Sequence, residues 1–134
     1  MNKIAMITGA TSGIGLGTAK ALASEGFNLI LTGRRNDRLE NIKKEIEEKY
    51  KVKVLILCFD VRNQSEVEKA VSSLSAEWKN IDVLVNNAGL AVGLEPIQEG
   101  LIEEWERMID SKVKGLVYVT RAVSRMMCSR KSSQ

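Results

Sequence analysis

Four short apolar runs alternate with longer amphipathic stretches along this chain. The runs lie at residues 4–7, 29–31, 54–57 and 81–85. They recur about every 25 residues, which is the spacing of strand-plus-helix units. Their continuous apolar character indicates strands that are buried on both faces, as a parallel sheet covered by helices requires.

Between these runs the apolar residues follow a helical period. The first helix is predicted over residues 13–25, and Gly26 is placed to end it in a left-handed conformation. A second helix is predicted over residues 35–49. The predicted inward residues are Ile14, Ala19, Leu22 and Ala23 in the first helix and Leu39, Ile42, Ile46 and Tyr50 in the second.

Two further helices follow in the second half of the chain. One is predicted to open at Asn63, because Glu66 follows three residues later as in a capping box. A long helix is predicted over 101–127, with apolar residues on more than one stripe and Val119 off the main one. The predicted buried face of the helix after Asn63 consists of Val67, Ala70, Val71, Leu74 and Trp78.

The alternation of strands and helices restricts the topology, because crossovers between parallel strands are right-handed. We expect a Rossmann-type, doubly wound α/β fold with strand order 3-2-1-4, truncated before a fifth strand. A ligand crevice would lie at the carboxyl ends of strands 1 and 4, where the strand order reverses. The expected organisation is one domain over 1–128 and a polar, frayed tail over 129–134.

Composition excludes several classes of protein. Of the 134 residues, 44% are hydrophobic and 4% aromatic, and the formal net charge is +3, which argues against a nucleic-acid surface. There is no histidine, and the two cysteines form no C-x-x-C pair, so neither a zinc site nor a Ser-His-Asp unit is expected. No apolar run has the length of a membrane span or of a signal peptide, and we expect a cytoplasmic protein.

The first candidate binding motif is the glycine-rich segment Thr8-Gly9-x-x-x-Gly13-x-Gly15, which directly follows the first apolar run. A strand, a glycine-rich turn and a helix N-terminus make a phosphate site, because free backbone N–H groups point outward and no side chain blocks the approach. Taken alone, the motif also fits a structural turn or a site for an unrelated anion.

The segment Asn86-Asn87-Ala88-Gly89 directly follows the fourth run, at the same predicted crevice. Asparagine tolerates left-handed backbone and bonds to neighbouring peptide groups, so this segment alone fits an ordinary turn equally well.

Together, at this separation, the two motifs resemble the short-chain dehydrogenase/reductase family. The resemblance continues through residues 29–35 (LILTGRR), Asp60-Val61, residues 81–85 and residues 105–115 (WERMIDSKVKG). The glycine spacing differs from that of the family's extended branch, and the pattern is most similar to bacterial NADP-dependent hydroxy-acid and serine dehydrogenases. The resemblance implies hydride transfer between an alcohol or carbonyl compound and a nicotinamide cofactor.

The resemblance also implies which residues hold the cofactor. The glycine-rich turn would contact the pyrophosphate, the Asp60 carboxylate would accept from the adenine amine, and the end of strand 4 would line the nicotinamide-side ribose. The implied cofactor-binding residues are Gly9, Thr11, Ser12, Gly13, Ile14, Gly15, Arg34, Arg35, Asp60, Val61, Asn87, Ala88 and Gly89.

Arg34 and Arg35 follow strand 2 at the position that faces the adenosine ribose. A carboxylate there would bond the 2′-hydroxyl of NAD, whereas an arginine fork suits the 2′-phosphate of NADP. No acidic residue stands at the strand end, and Asp37 is already in the helix, so the sequence favours NADP. Either arginine alone also fits a solvated residue at a helix entry.

The family's catalytic residues are not evident in these 134 residues. The family uses an Asn on the long helix, a Ser and a Tyr-x-x-x-Lys pair, but neither Tyr50 nor Tyr118 has a lysine four positions later. Lys112 stands at the Asn position, as an incidental surface change, a sequencing or cloning difference, or a substitution that ends catalysis. We therefore expect a cofactor-binding portion that is inactive alone.

The alternative is a non-catalytic nucleotide-binding or oligomerising Rossmann module. An unpaired fourth strand would be an exposed sheet edge, and the long helix has apolar residues on its outer side. Both features predict self-association through the helix 101–127 or the strand 81–85.

Overall fold

The computed structural model describes residues 2–11, 13–87 and 115–130. Its strands are β1 (Ile4–Ile7), β2 (Asn28–Gly33), β3 (Val54–Cys58) and β4 (Val83–Val85). They form a parallel sheet in the order β3-β2-β1-β4, which confirms the predicted topology. The fourth strand is shorter than predicted. Asp82, just before it, accepts the Ile4 N–H with Oδ2 at 2.9 Å and donates its own N–H to the Ile4 carbonyl at 2.8 Å.

The helices of the described segments are α1 (Gly13–Ser24), α2 (Asn36–Tyr50), α3 (Gln64–Ser72), α4 (Ala76–Lys79) and α5 (Gly115–Arg130). Gly26 follows α1 with a φ of 89°, as predicted. The prediction that Ile14 faces inward is wrong, because its side chain is 80% exposed. The first turn of α1 packs through Gly15 against the backbone of Gly9 instead of covering the sheet.

The helix predicted after Asn63 is two helices. The Asn63 side chain accepts the Glu66 N–H at 3.1 Å, as the capping prediction requires. The Asn63 N–H donates to the Asp60 carbonyl at 3.0 Å, so the reciprocal bond of a capping box is replaced by a turn. Val67, Val71 and Leu74 are buried, whereas Ala70 and Trp78, the latter on α4, are partly buried.

The sheet separates two hydrophobic cores. Alternate residues of β1 and β2 face α1 and α2 on one side and α3 and α5 on the other. The two central strands are buried almost throughout, but β3 and β4 are partly exposed because each lies at a sheet edge. Full burial on both faces, which the apolar runs predicted, therefore holds for the centre of the sheet and not for its edges.

Helix α5 corrects the prediction for Val119. Val119 and Val123 are completely buried against the second core, whereas Leu116 and Val117 are about half exposed. The buried stripe therefore runs through Val119. The helix continues to Arg130, two residues into the segment that was expected to be frayed, and the predicted stretch 101–114 lies outside the described residues. Within the described ranges, no helix is long and apolar enough to cross a membrane.

Candidate functional site

The glycine turn (residues 8–15) connects β1 to α1 at the carboxyl edge of the sheet. Gly9 has a φ of 64° and Gly13 a φ of 39°, backbone angles that residues with a Cβ rarely adopt. The Ala10 N–H donates to the Thr32 carbonyl at 3.1 Å, which ties the turn to the end of β2. Ser12 lies outside the described residues.

Gly15 is the point of closest approach in this turn. A Cβ built on it would collide with the carbonyl group of Gly9 and with the Asn87 side-chain nitrogen. Residues on α1, in the glycine turn and after β4 therefore meet at one place, and only glycine fits there.

Asn87 connects the end of β4 to the glycine turn. Its backbone N–H donates to Thr8 Oγ1 at 2.9 Å, and its Nδ2 donates to the Gly9 carbonyl at 3.1 Å. Asn86 donates from Nδ2 to Thr120 Oγ1 at 2.9 Å and so joins the same strand end to α5. The two motifs singled out in the sequence thus converge, although Ala88 and Gly89 lie outside the described residues.

Arg34 and Arg35 lie at the end of β2, and both are exposed. Arg35 is the N-cap residue of α2, and its side chain makes no capping hydrogen bond. The Phe59 N–H donates to the Gly33 carbonyl at 3.0 Å, and Cys58 Sγ lies 3.4 Å from the Arg34 carbonyl oxygen. These bonds place the end of β3 beside the two arginines.

The Asp60 turn (residues 60–63) follows β3 at this same edge. The side chain of Arg62 donates to the Asp60 carboxylate from Nη2 at 2.7 Å and from Nε at 3.0 and 3.2 Å. These hydrogen bonds lower the pKa of Asp60 below its ordinary value against the opposing effect of burial, and the charge of Arg34 lowers the pKa further. Asp60 is therefore ionised at neutral pH, within the field of Arg34, which directly follows the neighbouring strand β2.

Three residues of this edge were not among the predicted site residues. Arg62 clamps Asp60, the Thr8 hydroxyl accepts from Asn87, and Gly33 leaves room for Thr11, whose Cγ2 would lie 3.2 Å from a Cβ on Gly33. The available signal for Arg62 was its position two residues after an aspartate in a turn, where an arginine can reach back to the carboxylate.

The edge thus combines a glycine turn at the N-terminus of α1, two exposed arginines and an ionised carboxylate. Such a surface suits an elongated ligand with phosphates at two places and a hydrogen-bond donor at one end. A family model described as short chain dehydrogenase matches residues 3–134. The chain belongs to the short-chain dehydrogenase family.

Individual relatives agree with this assignment. The chain is 48% identical over 127 residues to an NADP-dependent 3-hydroxy acid dehydrogenase from Salmonella typhi, covering 95% of this chain and 50% of that protein. Among solved structures it matches serine dehydrogenase from Escherichia coli with 45% identity and a TM-score of 0.87, covering 97% of this chain and 58% of the other.

A third relative is L-sorbose reductase from Gluconobacter frateurii, whose structure contains NADPH and L-sorbose. It matches with 36% identity and a TM-score of 0.84, covering 96% of this chain and 49% of the other. This short-chain dehydrogenase chain spans about half the length of the curated relatives it matches.

Proposed function

We propose that this chain binds NADP(H) along the carboxyl edge of its sheet and forms the adenosine and pyrophosphate half of a dehydrogenase site. The observation that carries the proposal is the close contact of Gly15 with the Gly9 carbonyl and the Asn87 side chain, which leaves no room for a Cβ and holds the glycine turn against the residues after β4. The glycine turn would receive the pyrophosphate on backbone N–H groups, where the N-terminus of α1 favours negative charge. Ile14, exposed in the first turn, would flank it.

The preference for NADP over NAD rests on Arg34 and Arg35. Both are exposed beside the end of β3, and no carboxylate occupies the end of β2 to bond a ribose hydroxyl. A 2′-phosphate would accept charge-assisted hydrogen bonds from either guanidinium group. Relatives named as NADP-dependent or solved with NADPH support this assignment.

For the longer protein represented by the relatives, we propose interconversion of an alcohol and a carbonyl compound, with the hydride supplied by NADPH or accepted by NADP⁺. This chain would bind and orient the cofactor: Asp60 and Val61 at the adenine, Asn87 with Ala88 and Gly89 towards the nicotinamide ribose. The 134-residue chain alone would not turn over a substrate, because it contains no Tyr-x-x-x-Lys pair and has Lys112 at the family's Asn position.

Cofactor titration tests this proposal. NADPH fluorescence should rise on binding to the 134-residue chain, with a tighter affinity than NADH shows, and a panel of alcohols and carbonyl compounds should show no turnover. If neither NADPH nor NADH bound to the chain, the proposed site would be contradicted. Measurable turnover would contradict only the statement that the chain is inactive alone.

A second candidate, an oligomerising module, is favoured by the outer surface of α5. Leu116 is 46% exposed and Val117 is 53% exposed, so two neighbouring apolar side chains of α5 lie at the surface. We propose that a second copy of the chain covers this surface or pairs with the β4 edge. Light scattering should then give a mass above 14.8 kDa, and Leu116→Ser with Val117→Ser should return it to that of one chain. A monomer at all concentrations would contradict this second proposal.

A further inference from the structure

The contact between Arg62 and Asp60 has the geometry of a clamp. Oδ1 of Asp60 accepts the backbone N–H of Arg62 at 2.9 Å and its Nε at 3.0 Å, while Oδ2 accepts Nη2 at 2.7 Å. Both oxygens of one carboxylate are thus fixed by one residue. Bidentate arginine–carboxylate pairs add geometric specificity as well as energy.

The backbone holds Arg62 in place for this contact. The Asn63 N–H donates to the Asp60 carbonyl at 3.0 Å and closes a turn with Val61 and Arg62 at its centre. The Asn63 side chain caps α3 by accepting the Glu66 N–H, so the turn is continuous with the helix. Arg62 therefore reaches back from a fixed position, and its own N–H completes the clamp.

The clamp leaves part of the Asp60 carboxylate accessible. The Asp60 side chain is 27% exposed and that of Arg62 is 35% exposed. An ionised carboxylate has about four acceptor positions, and Arg62 fills most of them with three N–H groups, the backbone N–H, Nε–H and Nη2–H, which leaves room for one further donor on Oδ2. The terminal torsion of an aspartate is otherwise broad, so without a clamp the accessible oxygen would sample many directions.

We infer that Arg62 is a positioning residue for the adenine end of the cofactor site: its guanidinium group holds the Asp60 carboxylate so that one acceptor edge faces the exocyclic amine. This inference rests on the proposed NADP(H) site. Arg62 acts through Asp60. If Arg62 instead only stabilised the turn before α3, its substitution would lower the affinity for every nucleotide equally.

The test compares NADPH with its hypoxanthine analogue, which carries a carbonyl oxygen in place of the exocyclic amine. The wild-type chain should prefer NADPH by about tenfold or more, since a hydrogen bond to a charged acceptor contributes about 1.5–3 kcal/mol. In Arg62→Met the preference should fall to about threefold or less, because the carboxylate is no longer oriented. Lys44→Met removes one exposed positive charge from α2 and should keep the wild-type preference.

Arg62→Lys provides a second variant that keeps the charge but not the fork. Its preference should lie between those of the wild type and Arg62→Met, and it carries the test if Arg62→Met does not fold. The positioning role alone would be overturned if both variants kept the wild-type preference for NADPH over the hypoxanthine analogue, whether or not the affinities for both nucleotides fell equally. Failure of the wild-type chain to bind NADPH would overturn the proposed cofactor site and this inference with it.

Discussion

The glycine turn and the Asp60 turn lie on the same edge of the sheet but are built differently. The glycine turn depends on backbone: positive φ values, the close approach of Gly15 to Gly9, and the two hydrogen bonds from Asn87. The Asp60 turn depends on charge, with one carboxylate held by Arg62 and influenced by Arg34. In the proposed cofactor site, the first would define the space for a pyrophosphate, and the second, with the neighbouring Arg34, would define which adenosine group is accepted. Substitutions in the first should abolish binding, whereas substitutions in the second should change selectivity.

The largest effect is expected from Gly15→Ala. The added Cβ would collide with the Gly9 carbonyl and the Asn87 side chain, and overpacking of this kind costs about 1–3 kcal/mol of stability. Separation of these elements should also remove measurable NADPH binding. Urea unfolding and fluorescence titration provide the two measurements.

Gly17→Ala is the matched control, because a Cβ there has no heavy atom within 4 Å. Alanine in an exposed helix interior should raise stability by about 0.5–1 kcal/mol and leave NADPH affinity unchanged. If both variants behaved alike, the close approach at Gly15 would not be what shapes the site.

Arg34→Ser and Arg35→Ser should change selectivity without disturbing the fold. Each substitution is expected to lower the affinity for NADPH by about tenfold, which is the effect of losing a hydrogen bond to a charged group. NADH affinity should stay as in the wild type, since that nucleotide has no 2′-phosphate. Calorimetric titration with both nucleotides checks this, with Lys44→Ser as the control for net charge. An equal loss of affinity for both nucleotides would show that the arginines do not bind the 2′-phosphate.

Asn87→Ala should have a smaller effect, because it removes one of the two hydrogen bonds that Asn87 donates to the glycine turn. The bond from Nδ2 to the Gly9 carbonyl is lost, while the backbone bond to Thr8 remains. A loss of about 0.5–1.5 kcal/mol in the free energy of unfolding is expected. Asn80→Ala, at the exposed end of α4, should change stability by less than about 0.5 kcal/mol. Similar losses in the two variants would assign no special role to Asn87.

The smallest effect is a pH dependence that belongs to the Asp60 turn. Because the pKa of Asp60 is lowered in the folded chain, its ion pair stabilises the protein above the unfolded pKa and ceases to do so as pH falls through the folded value. The stability difference between wild type and Arg62→Met should therefore be largest near neutral pH and shrink below about pH 4. Urea unfolding across this range measures it. A difference independent of pH would mean that the pair contributes no charge interaction.

The fold could be predicted because a parallel sheet constrains a sequence strongly. Continuous apolar runs, helical periods and right-handed crossovers together leave the order 3-2-1-4, and the structure has it. The wrong predictions of helix burial arise because a helical period alone treats one face as meeting the sheet along the whole length of the helix. Ile14 is exposed because the first turn of α1 packs on the glycine turn, and Val119, which was placed off the main stripe, is completely buried.

The site was predictable only as far as it depends on residue type and chain order. Glycines and asparagines at strand ends identify a crevice, and the structure brings Gly9, Gly15 and Asn87 into contact there. For the clamp on Asp60 the sequence offers only the position of Arg62 two residues after the aspartate, and the bidentate contact itself depends on side-chain geometry. The cofactor contacts of Thr11, Gly13, Val61 and the other predicted residues stay predictions until a nucleotide is bound.

The most direct test of the account is a calorimetric comparison of 2′,5′-ADP with 5′-AMP on the 134-residue chain. Both ligands contain adenosine and a 5′-phosphate, and only the first has the 2′-phosphate that Arg34 and Arg35 are proposed to recognise. We expect 2′,5′-ADP to bind about tenfold tighter or more than 5′-AMP, in competition with NADPH. Equal affinities, or binding that NADPH does not displace, would contradict an NADP(H) site at this edge of the sheet.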